Sequence, residues 1–134
     1  MKSSATPANR YWNRECECME RARLESLQLE RVREQLRRVW TRVPYYAEKM
    51  KAAGLTPDSI RSLDDVRLLP FTLKDDLRKG YPFDTFAVPL KEIVRIHAST
   101  GTTGKPTVVG YTRRDMETWT EVVSRFLVSG GLTE

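Results

Sequence analysis

The chain has 134 residues, enough for one ordinary domain, with 40% hydrophobic and 31% charged side chains, so a packed core is expected and wholesale disorder is not. No apolar run approaches the ~18 residues a membrane-crossing helix needs, and residues 1–9 lack the apolar stretch of a secretory signal, so export and membrane spanning are not expected. The net charge of +5 lies in the first third: residues 1–51 carry 12 basic and 7 acidic side chains, and residues 52–134 carry 11 of each.

Residues 1–9 are small and polar and read as a disordered terminus. Residues 10–43 read as helix, with a break expected near Arg23–Ser26. Leu24, Leu27, Val32, Leu36, Val39 and Val43 form one apolar stripe along it. Cys16 and Cys18 lie on this stretch about 200° apart on a helix, so they cannot bridge. Without a second pair or a histidine they do not make a zinc site, and two reduced thiols of a cytoplasmic protein are expected. The basic side chains here are interspersed with acids (Arg31, Arg33, Glu34, Arg37, Arg38) and lack interleaved aromatics, which favours a solvated face over a nucleic-acid surface.

Pro44 can open a further helical turn that Gly54 closes. Short capped helices are then expected after Thr56-Pro57, Ser62-Leu63-Asp64-Asp65 and Thr72-Leu73-Lys74-Asp75, the last closed by Gly80 and Pro82. Leu68-Leu69-Pro70-Phe71 reads as a buried connector. The pattern changes near residue 93: Ile93–His97 and Thr107–Tyr111 are rich in β-branched residues and predict two strands. Thr112-Arg113-Arg114-Asp115 caps a final helix, in which Met116, Trp119, Val123, Phe126 and Leu127 share a face, and Ser129-Gly130-Gly131 ends it. Two strands make at most a hairpin, which is marginal alone, and the last helix needs a sheet to cover. The fold class is therefore α/β, or α+β as a fragment. A helical segment over residues 10–88 leads into the start of an α/β domain over residues 89–134.

The segment between the strands, residues 98–106, carries the chemistry. Ser99-Thr100-Gly101-Thr102-Thr103-Gly104-Lys105-Pro106 supplies four hydroxyls that can donate to phosphate oxygens, two glycines that let backbone N–H groups approach an anion, and one lysine. It is not a Walker A loop, which needs four residues between its glycines, Ser or Thr after the lysine and a helix next. On composition alone a phosphate cradle and a plain Gly/Thr-rich hairpin loop both remain open.

Ser99–Pro106 resembles the phosphate-binding signature of the adenylate-forming superfamily, which includes the acyl- and aryl-CoA ligases. Its flanks narrow the resemblance. Val43-Pro44-Tyr45-Tyr46, Ser62-Leu63-Asp64-Asp65, Leu69–Arg78, Tyr81-Pro82-Phe83 and Val94–Ser99 are similar, in order and spacing, to the N-terminal region of phenylacetate–CoA ligases, from about Tyr11 onward. Thr100 stands where the family commonly has Ser; the hydroxyl is kept. The family is much longer, and its adenine, ribose and acid-binding segments and its C-terminal catalytic lysine lie beyond the matched region.

The resemblance implies a ligase that joins phenylacetate to CoA using Mg2+ and ATP through an acyl-adenylate, of which this chain is the N-terminal portion and inactive by itself. It implies that Ser99, Thr100, Gly101, Thr102, Thr103, Gly104 and Lys105 contact the triphosphate. Lys74, a cation in a first helical turn, is a candidate catalytic residue; its plain alternative is a surface lysine paired with Asp75 or Asp76. His97, which precedes the loop, has the plain alternative of a hydrogen-bonded structural residue. Asp64-Asp65 and Asp75-Asp76 are explained by capping. Tyr45, Tyr46, Trp12, Trp40 and Trp119 read as core or interface. The competing expectation is a helical module that self-associates through the Leu24–Val43 stripe and keeps a residual phosphate loop. No nucleic-acid or membrane partner is expected.

Overall fold

The computed structural model describes residues 11–100 and 104–132. Its helical part begins with α1 (Arg14–Glu17) and α2 (Arg21–Arg42), continues with α3 (Pro44–Ala52) and ends with α4 (Lys74–Lys79). Between α3 and α4 lie 3-10 turns at Pro57–Ser59 and Leu63–Leu68, and a third, Leu90–Glu92, precedes the strands. Then follow β1 (Ile93–Ala98), β2 (Val108–Thr112) and α5 (Arg113–Ser129). The strands pair antiparallel, His97 opposite Val109 and Ala98 opposite Val108, with a register shift between Ile93 and Arg95. The result is α+β with a two-stranded sheet.

The first helical break falls at residues 18–20 rather than near Arg23–Ser26. Caps decide this. Asn13 Oδ1 accepts the Cys16 N–H at 3.1 Å and starts α1, and Glu20 accepts the Arg23 N–H at 3.1 Å and starts α2. Both cysteines are free and exposed. At the end of α3, Gly54 takes φ +68° and the Leu55 N–H reaches back to the Met50 carbonyl, a glycine-terminated C-cap. Ser62 and Thr112 cap as the sequence suggests: Asp65 accepts the Ser62 N–H at 2.8 Å, and Asp115 accepts the Thr112 N–H at 2.8 Å. The third cap lies one residue later than expected. Leu73, not Thr72, precedes α4, because Asp76 accepts the Leu73 N–H at 2.9 Å.

The small core sits where α2, α3 and the 57–60 turn meet. Val43 and Ile60 are fully buried, with Ala47, Met50 and Pro57 around them. Arg33 on α2 donates from Nε to the Ile60 carbonyl at 2.8 Å and from its guanidinium to the Arg61 carbonyl at 3.1 Å. These bonds satisfy carbonyls that the turn leaves open. The Leu24–Val39 stripe of α2 is half-buried within the chain.

The connector 68–71 is not buried: Leu68 is 51% and Phe71 87% exposed, because no described segment lies over them. The outer face of α5 is likewise open, with Phe126 74% exposed. A two-stranded sheet is too narrow to cover a helix of five turns.

Among the described residues, two contacts stand out in joining the helical part to the sheet and α5. Glu121 of α5 accepts from Trp12 Nε1 at 2.8 Å, from Asn13 Nδ2 at 2.9 Å and from Arg125 at 2.7 Å. On the sheet, Gly110 of β2 lies so close to Phe86 that a Cβ there would meet the ring at 2.5 Å and 2.7 Å. Gly110→Ala is therefore expected to cost about 1–3 kcal/mol by overpacking. The check is a urea midpoint that falls with an unchanged slope.

Candidate functional site

The loop begins where the β-ladder ends. One residue past β1, the Ser99 N–H donates to the Thr107 carbonyl at 3.0 Å, and the Thr107 N–H donates to Ser99 Oγ at 2.9 Å. The two bonds tie together the ends of the two strands at the base of the segment that joins them. Ser99 thus spends its oxygen on the loop itself and keeps its own O–H to donate. Thr100 is exposed. Gly104 takes φ +132° with open space around its Cβ position, so backbone conformation rather than crowding calls for glycine there. Gly101, Thr102 and Thr103 lie outside the described residues.

Lys105 does not simply point to solvent. Its Nζ sits 5.7 Å from the centroid of the Tyr81 ring, within cation–π range. Tyr81 follows α4, so the far end of the loop touches the helical part of the chain.

Lys74 is the first residue of α4 and is exposed. The expected pairing with Asp75 or Asp76 does not occur. Asp75 is held by Arg78 at 2.9 Å, and Asp76 by Lys49 at 2.9 Å. Among the described residues Lys74 makes no ion pair, and no hydrogen bond joins it to the loop.

Asp76 does more than cap a helix. Its side chain is only 16% exposed and accepts from both Leu73 N–H and Lys49 Nζ, so it starts α4 and ties it to α3 at once. Lys49 also donates to Tyr45 Oη at 2.7 Å. The Leu73 N–H, then Lys49, hold the Asp76 carboxyl far below the usual carboxylate range. The Tyr45 hydroxyl, then Asp76, push the Lys49 ammonium up. The tyrosine four residues before Lys49 is a legible helical neighbour; its partner 27 residues away is not.

His97 is exposed and packs through its ring, edge-on to Tyr111 at 5.1 Å and to Trp119 at 5.5 Å. Among the described residues its side chain makes no hydrogen bond, contrary to the expected structural role through one. Its place on the sheet face under α5 explains the difference, because the neighbours there are aromatic.

An open groove of about 1070 Å³ runs between α2–α3 and β2–α5. Leu36, Tyr46, Thr107 and Arg114 are among its walls; Lys74, Ser99 and Lys105 are not. No described helix is long and apolar enough to cross a membrane.

No family model matches the chain. Among curated proteins it is 53% identical over 108 residues to the phenylacetate–coenzyme A ligase of Escherichia coli, covering 81% of this chain and 25% of that protein. It is 49% identical over 117 residues to the enzyme of the same name from Thermus thermophilus, covering 87% of this chain and 26% of that protein. The chain thus spans about a quarter of the length of these relatives. Among solved structures it resembles a 2-hydroxyisobutyryl-CoA ligase in complex with 2-HIB-AMP and CoA in the thioesterification state. There the TM-score is 0.81 and the identity 30%, over 96% of this chain and 28% of that one. An open conformation of the same ligase matches with TM-score 0.81 and 29% identity, over 97% of this chain and 31% of that one.

With its antiparallel strand pair and the Ser99–Thr107 bonds between them, the chain has the fold of the corresponding part of a CoA ligase. Within that class the chain belongs to the phenylacetate–CoA ligase family.

The depressed Asp76 carboxyl makes a pH prediction. Its folded pKa lies below the unfolded value of about 3.9, so its contribution is fully present above pH ~4 and is lost as pH falls toward the folded value. Urea midpoints from pH 7 to pH 2 should drop below pH ~4, and the drop should be smaller in Asp76→Asn. An equal drop in that variant would assign the acid sensitivity to other carboxylates, Glu121 and Asp65 first, both of which are also lowered.

Proposed function

We propose that this chain supplies the phosphate-holding loop of an AMP-forming aryl-acid–CoA ligase. Such a ligase converts phenylacetate, ATP and CoA to phenylacetyl-CoA, AMP and pyrophosphate. Residues 10–88 are the helical lead-in, residues 89–134 the start of the nucleotide-binding α/β domain, and the working compartment is the cytoplasm. The observation that carries the reading is the loop of residues 98–106. Ser99 and Thr107 hold it at its neck, in a chain about half identical to phenylacetate–CoA ligases.

In the first half-reaction the carboxylate attacks the α-phosphorus of ATP and pyrophosphate leaves with the bonding electrons. In the second, the CoA thiolate displaces AMP from the acyl-adenylate. The loop acts on the leaving pyrophosphate. The Thr102 and Thr103 hydroxyls donate to its oxygens, with Thr100 and Ser99 beside them. Gly101 and Gly104 let backbone N–H groups approach, and Lys105 adds a positive charge. Donors already aimed at the developing charge need no rearrangement during the reaction. Mg2+ belongs here with the triphosphate as part of the substrate. Among the described residues no group of three or more His, Cys, Asp or Glu gathers to hold an ion. The segments for adenine, acid and CoA are supplied by the remaining length of the ligase, and the 134-residue chain alone is expected to be inactive.

Thr102→Val with Thr103→Val, made in the longer ligase, should lower ATP–pyrophosphate exchange by about 100-fold or more. Unchanged exchange removes the loop from the reaction. Lys74→Ala should lower exchange on the order of ten-fold, ~1.4 kcal/mol in the barrier, and leave the urea midpoint in place, as fits an exposed unpaired cation. Normal exchange with a lowered midpoint would make Lys74 structural.

A further inference from the structure

We infer that Tyr81 is the positioning residue for Lys105, the means by which the helical segment places the loop's positive charge. The inference rests on reading the loop as a phosphate holder. Lys105 has glycine before it and proline after it, so neither neighbour offers a side chain that restrains it. Among the described residues it makes no ion pair, and its ammonium lies over the Tyr81 ring at 5.7 Å. An aromatic face attracts a cation without cancelling its charge. A carboxylate in the same place would compete with phosphate for the ammonium, whereas a ring leaves the full charge to an arriving anion.

Tyr81 is itself held from two sides. The Tyr81 N–H donates to the Arg78 carbonyl at the end of α4, and the Asp84 N–H closes the turn on the Gly80 carbonyl at 3.0 Å. Asp76 ties α4 to α3 through Lys49, and Phe86 seats the other end of the turn against Gly110 on β2. The strand that leaves the loop and the turn that carries Tyr81 are therefore braced against each other.

The test is side-chain NMR of the full chain, titrated with inorganic pyrophosphate. The Lys105 methylene signals, assigned by their loss in Lys105→Met, should lie upfield of the other lysines through the Tyr81 ring current. The displacement should persist in Tyr81→Phe, grow in Tyr81→Trp and vanish in Tyr81→Leu. Pyrophosphate binding should weaken about 2- to 5-fold in Tyr81→Leu and not in Tyr81→Phe. In the Lys105→Met background, Tyr81→Leu should add nothing. Should Tyr81→Leu unfold the chain, the Phe and Trp variants still decide. Absence of the displacement in the wild type, or equal displacement with Phe and Trp, overturns the inference. If Lys105→Met weakens pyrophosphate binding but the wild-type displacement is absent, Tyr81 positioning fails while the phosphate reading stands. If the displacement is present but Lys105→Met binds pyrophosphate like the wild type, the phosphate role of Lys105 fails and the positioning role with it.

Discussion

A methyl group at position 110 would collide with the Phe86 ring, so the helical half of the chain can seat on the sheet only because β2 carries a glycine at that point. Much of the arrangement follows from this approach. Phe86 packs against Phe83, with ring centroids 5.3 Å apart, and the two rings steady the turn that begins at Gly80. The turn brings Tyr81 to Lys105, and β2 runs directly back into the loop through Thr107. Widening the contact would leave the strands paired and the helices folded, but would loosen the spatial relation between them.

The polar contacts differ in weight. The ion pairs along α2, such as Arg21 with Glu25 and Arg38 with Glu34, join exposed side chains and contribute little. Asp76 with Lys49 is more sheltered, at 16% and 26% side-chain exposure, and joins separate helices. The Arg33 bonds to the Ile60 and Arg61 carbonyls belong with it, since they satisfy main-chain acceptors beside the core. A few long-range polar bonds thus do for this small core what a larger apolar interior would do alone.

Local features are legible in the sequence, and long-range partners are not. The caps at Ser62 and Thr112, the glycine stop at Gly54 and both strands follow from short-range rules that act within four residues. The cap before α4 falls one residue beyond its expected place because Asp76, held by Lys49 from another helix, takes the Leu73 N–H, whereas Asp75, which fits the local pattern, pairs with Arg78. Leu68 and Phe71 have apolar side chains and read as buried; whether a covering surface is present is not encoded in those residues. At the loop, residue types suggest phosphate chemistry, whereas the contacts made by Thr107 and Tyr81 depend on strand register and on a turn 24 residues away from Lys105 in sequence.

Trp12 and Glu121 are 109 residues apart in sequence and hydrogen-bonded in space, with Asn13 and Arg125 completing the clasp. The entropy of closing so long a loop grows only with the logarithm of its length, each doubling adding about 0.6 kcal/mol. A few well-made bonds at the two extremities can therefore gather everything between them into one ring of chain.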